Sequence, residues 1–381
     1  MSENKKYSVL QVLPHLNSGG LVSGAIEVSS ALVQNNFRSI VVSTGGRRQR
    51  EIERHGGEFL NMDVASKNPF IMYKNVSSLL KIINKYNINI IHARSRAPAW
   101  SAYYAAKKSS IPFITTFHGT YGFNNKIKKK YNSIMVRSDK IIAISNFIKN
   151  HIVENYDVSL DKIKTIHRGI NITDFDAANV SSERLISFIN KLNIPEDRLV
   201  ILLPGRITRW KGHILMIKAM EKLKRQDVIC LFVGDFQGRK NYLNELKNLI
   251  SQSNLDENFR ILENQIDMAA VYKLADVVVS CSTDPEAFGR VVAEAQAMGR
   301  PTIAVNHGGA PEIILDKITG WLFKPGDVDD LVEKINFALN ISEEKRSKMA
   351  LLSSDRVKMY FDNKNMCLKT IDLYKNIINS Y

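Results

Sequence analysis

The sequence predicts an α/β protein made of two doubly wound parallel sheets in tandem. Three observations carry that prediction. The 381 residues exceed what one hydrophobic core usually organises, short β-type runs alternate with helical patterns from end to end, and one strand-poor stretch divides the alternation in two. At 44% hydrophobic and 24% charged, the composition is that of an ordinary globular protein and excludes a disordered chain. The three cysteines, Cys230, Cys281 and Cys367, have neither metal-like nor disulfide-framework spacing. Behind Lys5 and Lys6 comes only a short apolar stretch, residues 9–13, and no run of roughly eighteen apolar residues occurs. Neither export nor a membrane span is expected.

In the first series, strands are expected at 8–13, 39–43, 88–92, 113–117 and 140–144, each a short apolar run. Apolar residues at helical spacing place helices between them, as at 24–34 and 76–86. Residues 171–197, rich in Asn, Asp and Ser with one helical piece at 183–192, form the boundary and suggest domains at 1–175 and 176–363. The second series has strands at 199–204, 228–233, 259–262, 277–280 and 301–305, with helices at 213–225, 242–251, 268–274 and 290–298. Ligands of open α/β folds bind beyond the carboxyl ends of the strands, so the expected site is a cleft that the two domains face across.

Charge divides unevenly. Residues 1–190 hold 26 Lys and Arg against 13 Asp and Glu, and residues 191–381 hold 27 against 25, so the net +15 is almost all N-terminal. A basic lobe implies an anionic partner, whether nucleic acid, an acidic membrane surface or a phosphorylated substrate; a lysine-rich surface that aids solubility is the alternative.

The sharpest motif is Glu286-Ala-Phe-Gly-Arg-Val-Val-Ala-Glu294, which follows the strand at 277–280. If the segment is helical throughout, eight residues at about 1.5 Å each separate the carboxylates by about 12 Å, the reach from the sugar to the ribose of a nucleotide sugar. Free N–H groups at the helix start suit a diphosphate, and carboxylates suit hydroxyls. Alternatively Glu286 is a first-turn dipole partner and Glu294 a solvated face residue. The loop Pro204-Gly-Arg206-Ile-Thr-Arg-Trp-Lys211-Gly212-His213 leaves another strand end and carries two cations, Arg206 and Lys211, suited to a diphosphate leaving group. Arg209 reads as a solvated loop residue and Trp210 as packing.

Together with Asn306-His-Gly-Gly-Ala-Pro-Glu312 and Thr319-Gly-Trp-Leu-Phe-Lys-Pro-Gly-Asp327, these segments resemble the family 4 glycosyltransferases. The resemblance implies the GT-B fold, two Rossmann-like domains, with a C-terminal helix at 364–379 crossing back to the first. It implies retaining, metal-independent transfer of a hexose-type sugar from a UDP- or GDP-sugar co-substrate, with no cofactor. By resemblance, Arg206 and Lys211 hold the diphosphate, Glu294 the ribose, Glu286 the sugar hydroxyls, and the backbone at Phe288 and Gly289 the phosphates. Gly19 and Gly20, in the turn after the first strand, sit beside the diphosphate, and His118, ending the strand at 113–117, orients or polarises the sugar. Asn171 stands where the family has Asp.

For the acceptor, Arg94 and Arg96 leave the strand at 88–92 and suit a phosphate or carboxylate, with a solvated loop as the alternative. The basic run 126–131, just past Tyr121 and Phe123, suits anionic lipid headgroups, and an exposed helix face is the alternative. Asp327-Val-Asp329 mimics a metal-binding D-x-D but opens a helical pattern, where N-capping explains it. The expectation is an enzyme at the cytoplasmic face of a bacterial membrane acting on a lipid-linked, lipopolysaccharide-type acceptor. A transferase for a small soluble acceptor is the first rival. A basic nucleic-acid-binding protein is the second, although no nucleic-acid motif occurs, so nucleic acid is not an expected partner.

Overall fold

The computed structural model describes residues 7–122, 125–263 and 267–381, so Lys5, Lys6 and Phe123 lie outside it. The chain forms two compact units, Met1–Gly169 with Asn363–Tyr381, and Ile170–Asp362. The first holds 28 Lys and Arg against 11 Asp and Glu, the second 25 against 27, so the whole cationic excess belongs to the first.

Seven strands build the sheet of the first unit: β1 (Ser8–Val12), β2 (Arg38–Ser43), β3 (Glu58–Asn61), β4 (Ile90–Ala93), β5 (Phe113–Phe117), β6 (Lys140–Ala143) and β7 (Ile163–Thr165). Their order is β3-β2-β1-β4-β5-β6-β7 with parallel pairing throughout, and it reverses direction between β1 and β4. Every residue of β1, β4 and β5 is buried, which is why these strands read as continuous apolar runs. Val9, Ile90, Ile114 and Ile142 pack with Met366, Ile371 and Tyr374 of the helix Asn363–Ser380, so this last helix completes the first core. Burying each such side chain contributes roughly 1.5–3 kcal/mol.

The second unit carries β8 (Leu199–Pro204), β9 (Val228–Val233), β10 (Phe259–Leu262), β11 (Val277–Ser280), β12 (Thr302–Val305) and β13 (Trp321–Phe323). The order is β10-β9-β8-β11-β12-β13, parallel, reversing between β8 and β11. Both reversals are topological switch points, where connections leave to opposite faces and open a crevice at the carboxyl ends. The sequence missed β3, β7 and β13, each of which lies at a sheet edge. It also placed β4 two residues early, started the helix Gly20–Gln34 at 24, and started Pro69–Tyr86 at 76. The latter helix begins where the Asn68 side chain accepts the Phe70 N–H at 2.9 Å ahead of a first-turn proline. Asp327 caps Val328–Leu339 by accepting the Asp330 N–H at 3.0 Å. No helix among the described residues is long and apolar enough to cross a membrane.

Candidate functional site

In the second unit the two strands at the switch point deliver the motif residues. After β8 the chain turns through Gly205, at φ +143°, and ends its loop at Gly212, at φ +80°, where a Cβ would lie 1.9 Å from the Cys281 carbonyl oxygen. Only glycine fits there, and that close approach seats the β8 loop against the residue following β11. Lys211 is thereby buried, and its Nζ donates to Glu286 Oε1 at 2.7 Å, the side chains being 9% and 17% exposed. The Ser282 hydroxyl donates to the same oxygen at 2.6 Å. The Trp210 ring carries Lys211 Nζ 4.6 Å and Arg206 Cζ 5.7 Å from its centroid, so it is a platform for both cations rather than the packing residue expected. Arg206 is exposed, and Arg209 pairs with Glu245 at 2.9 Å.

The helix following β11 is Arg290–Ala297, so residues 286–289 are not helical and the separation estimated from continuous helical rise does not apply. Gly289, at φ +96°, caps this helix without a side-chain acceptor, which leaves first-turn N–H groups to other partners. Glu286 is held by the loop at 306–312: the Gly309 N–H donates to the Glu286 carbonyl at 2.8 Å, and a Cβ on Gly308 would sit 2.5 Å from that oxygen. The Phe288 ring is buried, 5.7 Å from Phe361, so only its backbone is offered to a ligand. Glu294 is 6% exposed, which removes the solvated-face alternative. Its Oε2 accepts from the Tyr272 hydroxyl at 2.8 Å and its Oε1 from Arg290 Nε at 2.5 Å. Burial, and then the Glu294 charge, push the Tyr272 phenol well up, so it stays a donor. A carboxylate accepting one bond at each oxygen keeps lone pairs for two further hydroxyls.

The first unit assembles a different kind of cluster. Gly19, at φ +105°, enters the helix Gly20–Gln34, and a Cβ on Gly19 or Gly20 would meet nothing within 4 Å, so backbone angle rather than space demands the first glycine. Arg94, just past β4, is 3% exposed, not a solvated loop residue; its Nε donates to Gln11 Oε1 at 2.7 Å, and its buried Nη2 has no hydrogen-bond partner among the described residues. Arg96 opens the helix Arg96–Ser109, donates to Asn132 Oδ1 at 3.0 Å and lies 4.5 Å over the Tyr121 ring. His118, after β5, buries an Nε2 that also lacks a partner there. Burial, then the charges of Arg94 and Arg168, hold its imidazole well below the usual range and therefore neutral. His92 on β4 shares hydrogen bonds with Tyr374 at 2.5 Å and Thr116 at 2.6 Å, and Arg168 pairs with Glu27 at 3.0 Å. His92, Arg94, His118 and Arg168 line a cavity of about 20 Å³, room for one water. Asn171 accepts the Thr173 N–H at 3.1 Å within its own turn.

Sequence reasoning missed Ser282, Tyr272, His92, Glu27 and Arg168. A signal was present for Tyr272 alone, a tyrosine following the apolar run Met268 to Val271, whose hydroxyl must find a partner when buried. Among the described residues no group of three or more His, Cys, Asp and Glu side chains could hold a metal ion.

Two family models match the chain, Glycosyltransferase Family 4 over residues 18–174 and Glycosyl transferases group 1 over residues 186–351. A glycosyltransferase from Rickettsia africae ESF-5 is similar at 40% identity and TM-score 0.93, over 99% of this chain and 100% of that one. Glycosyltransferase MJ1607 of Methanocaldococcus jannaschii is similar at 25% identity over 84% of this chain and 85% of its own length. Anabaena Alr3699/HepE, crystallised with UDP and glucose, shares the fold at 19% identity and TM-score 0.84, over 97% of this chain and 100% of that one.

Proposed function

The chain belongs to the family 4 glycosyltransferases of the GT-B fold, and from that premise we propose that it is a retaining, metal-independent enzyme moving a hexose from a UDP- or GDP-sugar to a lipid-linked glycan acceptor. The observation that carries the donor half is the Lys211–Glu286 pair beside Arg206 and the open helix start at Gly289. Cations and N–H groups meet a diphosphate, and carboxylates meet the hydroxyls at either end of it. HepE was crystallised with UDP and glucose, which supports the same ligand class here.

In this reading Lys211, Arg206 and the amides at Phe288 and Gly289 stabilise the departing diphosphate, the largest catalytic contribution expected when no protein nucleophile attacks. Glu286 takes sugar hydroxyls through the carboxylate oxygen that Lys211 and Ser282 leave free, and Glu294 takes the ribose. Gly19 and Gly20 border the diphosphate. His118, kept neutral, donates or accepts one hydrogen bond to the sugar, and the unmet Nη2 of Arg94, with Arg96, suits a phosphate on the acceptor. The cationic excess of the first unit favours an anionic membrane surface at the cytoplasmic face, with a lipopolysaccharide-type acceptor. Incubation with radiolabelled UDP- and GDP-hexoses and a bacterial lipid extract in EDTA tests this. Label extracted into organic solvent is the expected result; label transferred only to water-soluble products would replace the lipid acceptor with a soluble one.

A further inference from the structure

Residues 64–138 contain 13 Lys and Arg and not one Asp or Glu. This acid-free stretch includes the helices Pro69–Tyr86, Arg96–Ser109 and Lys126–Asn132, which line an open cavity of about 530 Å³ with a mostly apolar surface. Met72, Tyr73, Val76, Trp100, Tyr104 and Tyr131 form its walls. Trp100 is the centre of a stack, with Tyr104 at 6.4 Å and Tyr131 at 6.2 Å on near-parallel planes, and its Nε1 donates to the Tyr131 carbonyl at 3.2 Å. The Ser101 hydroxyl ties the second helix to the Met72 carbonyl of the first at 3.0 Å, so the walls are braced rather than collapsed.

The same helices leave large apolar side chains in water. Phe70 is 85% exposed three residues before Tyr73, and Ile127 is 82% exposed four residues before Tyr131, positions that share a helix face with wall residues. Lys67 and Lys108 line the cavity, and Lys74, Lys107, Lys126, Lys128, Lys129 and Lys130 are exposed on the lining helices or beside them. A volume in the range of small-molecule sites, apolar walls, protruding hydrophobes and exposed lysines in a stretch of sequence free of Asp and Glu together describe a place for a hydrocarbon chain under an anionic head. We infer that this cavity seats the hydrocarbon chain of a lipid phosphate, with the surrounding lysines on its phosphate. The inference rests on the lipid-linked acceptor reading and adds the part of the molecule that grips the lipid.

The test uses the whole chain and dodecyl phosphate below its critical micelle concentration, titrated calorimetrically, with inorganic phosphate and neutral dodecyl maltoside as controls. Saturable one-to-one binding is expected, weaker by about tenfold or more for the neutral detergent and absent for inorganic phosphate. Met72→Trp, which fills the cavity, weakens dodecyl phosphate by about tenfold or more, and Tyr73→Ser, at an exposed wall position, weakens it several-fold without threatening the fold. No saturable binding, or affinity unchanged in both variants, overturns the inference. So does self-association in sedimentation that Met72→Trp abolishes while dodecyl phosphate fails to bind, because the cavity would then be covered by a second copy. Dodecyl phosphate binding without sugar transfer to any lipid would leave the seat standing and remove the acceptor reading; lipid glycosylation without dodecyl phosphate binding would do the reverse.

Discussion

The two switch points differ in how their charge is balanced. Beside β8 and β11 both motif carboxylates have a cation and a neutral donor: Glu286 has Lys211 and Ser282, and Glu294 has Arg290 and Tyr272. Beside β1 and β4 the balance fails, because two buried arginines and two histidines face one paired carboxylate, Glu27, and Arg94 Nη2 and His118 Nε2 lack partners among the described residues. A buried donor without an acceptor costs roughly 1–3 kcal/mol, more when charged. Native proteins keep such groups where something else satisfies them, such as an ordered water or a ligand. The carboxylates of the second cluster are thus satisfied within the protein, and the first cluster keeps polar atoms that an ordered water or a ligand would satisfy.

Activity should fall furthest in the second unit. Lys211→Ala and Glu286→Ala each lower turnover by roughly a hundredfold or more in a sugar-transfer assay, with melting temperatures near wild type. Near-normal turnover in either would remove that residue from the diphosphate and sugar site. Stability should separate the two units. Glu294→Ala strands the buried Tyr272 hydroxyl and costs about 1–3 kcal/mol in urea unfolding. Arg94→Leu removes a buried guanidinium whose Nη2 lacks a partner among the described residues but also strands Gln11 Oε1, so unfolding free energy changes by less than in Glu294→Ala while transfer is lost. A large loss of stability in Arg94→Leu would mean that the first cluster is already satisfied internally.

Acid should weaken the fold through its buried histidines. Burial pushes His213, in the core of the second unit, from 6.5 down to about 4. Below pH 6.5 the unfolded chain takes up this proton and the native protein does not, so stability is full above 6.5 and falls by about 1.4 kcal/mol per pH unit towards 4. His213→Leu should flatten that slope in denaturation measured between the two pH values, and an unchanged slope would place the titration elsewhere. The smallest expected effect is that of Tyr272→Phe, which loosens Glu294 without touching the sugar. It raises KM for the donor by about three- to tenfold and leaves kcat nearly unchanged.

The same contrast governs what the sequence made legible. The second site was readable because Glu286 to Glu294 and Gly205 to Gly212 are each contiguous, so spacing alone groups their chemistry. The cluster of the first unit draws His92 from β4, Thr116 from β5, Arg168 from beyond β7 and Tyr374 from the last helix, and no local pattern announces that company. Central strands such as β8 and β9 were clear because both faces are buried. Edge strands such as β3, only half-buried, and the three-residue β7 and β13 leave no such run. The first turns of Pro69–Tyr86 were missed because Phe70 and Tyr73 are exposed and lie off the buried stripe of Val76, Leu79 and Ile83 from which the helix was read.

The most direct test of the donor site is calorimetric titration of the whole protein with UDP and with GDP in EDTA, repeated on Lys211→Ala. Saturable one-to-one binding of one nucleotide, lost or weakened by about a hundredfold in the variant, is the predicted result. Binding of neither nucleotide by folded protein, or equal affinity in Lys211→Ala, would contradict a preorganised diphosphate site at the second switch point.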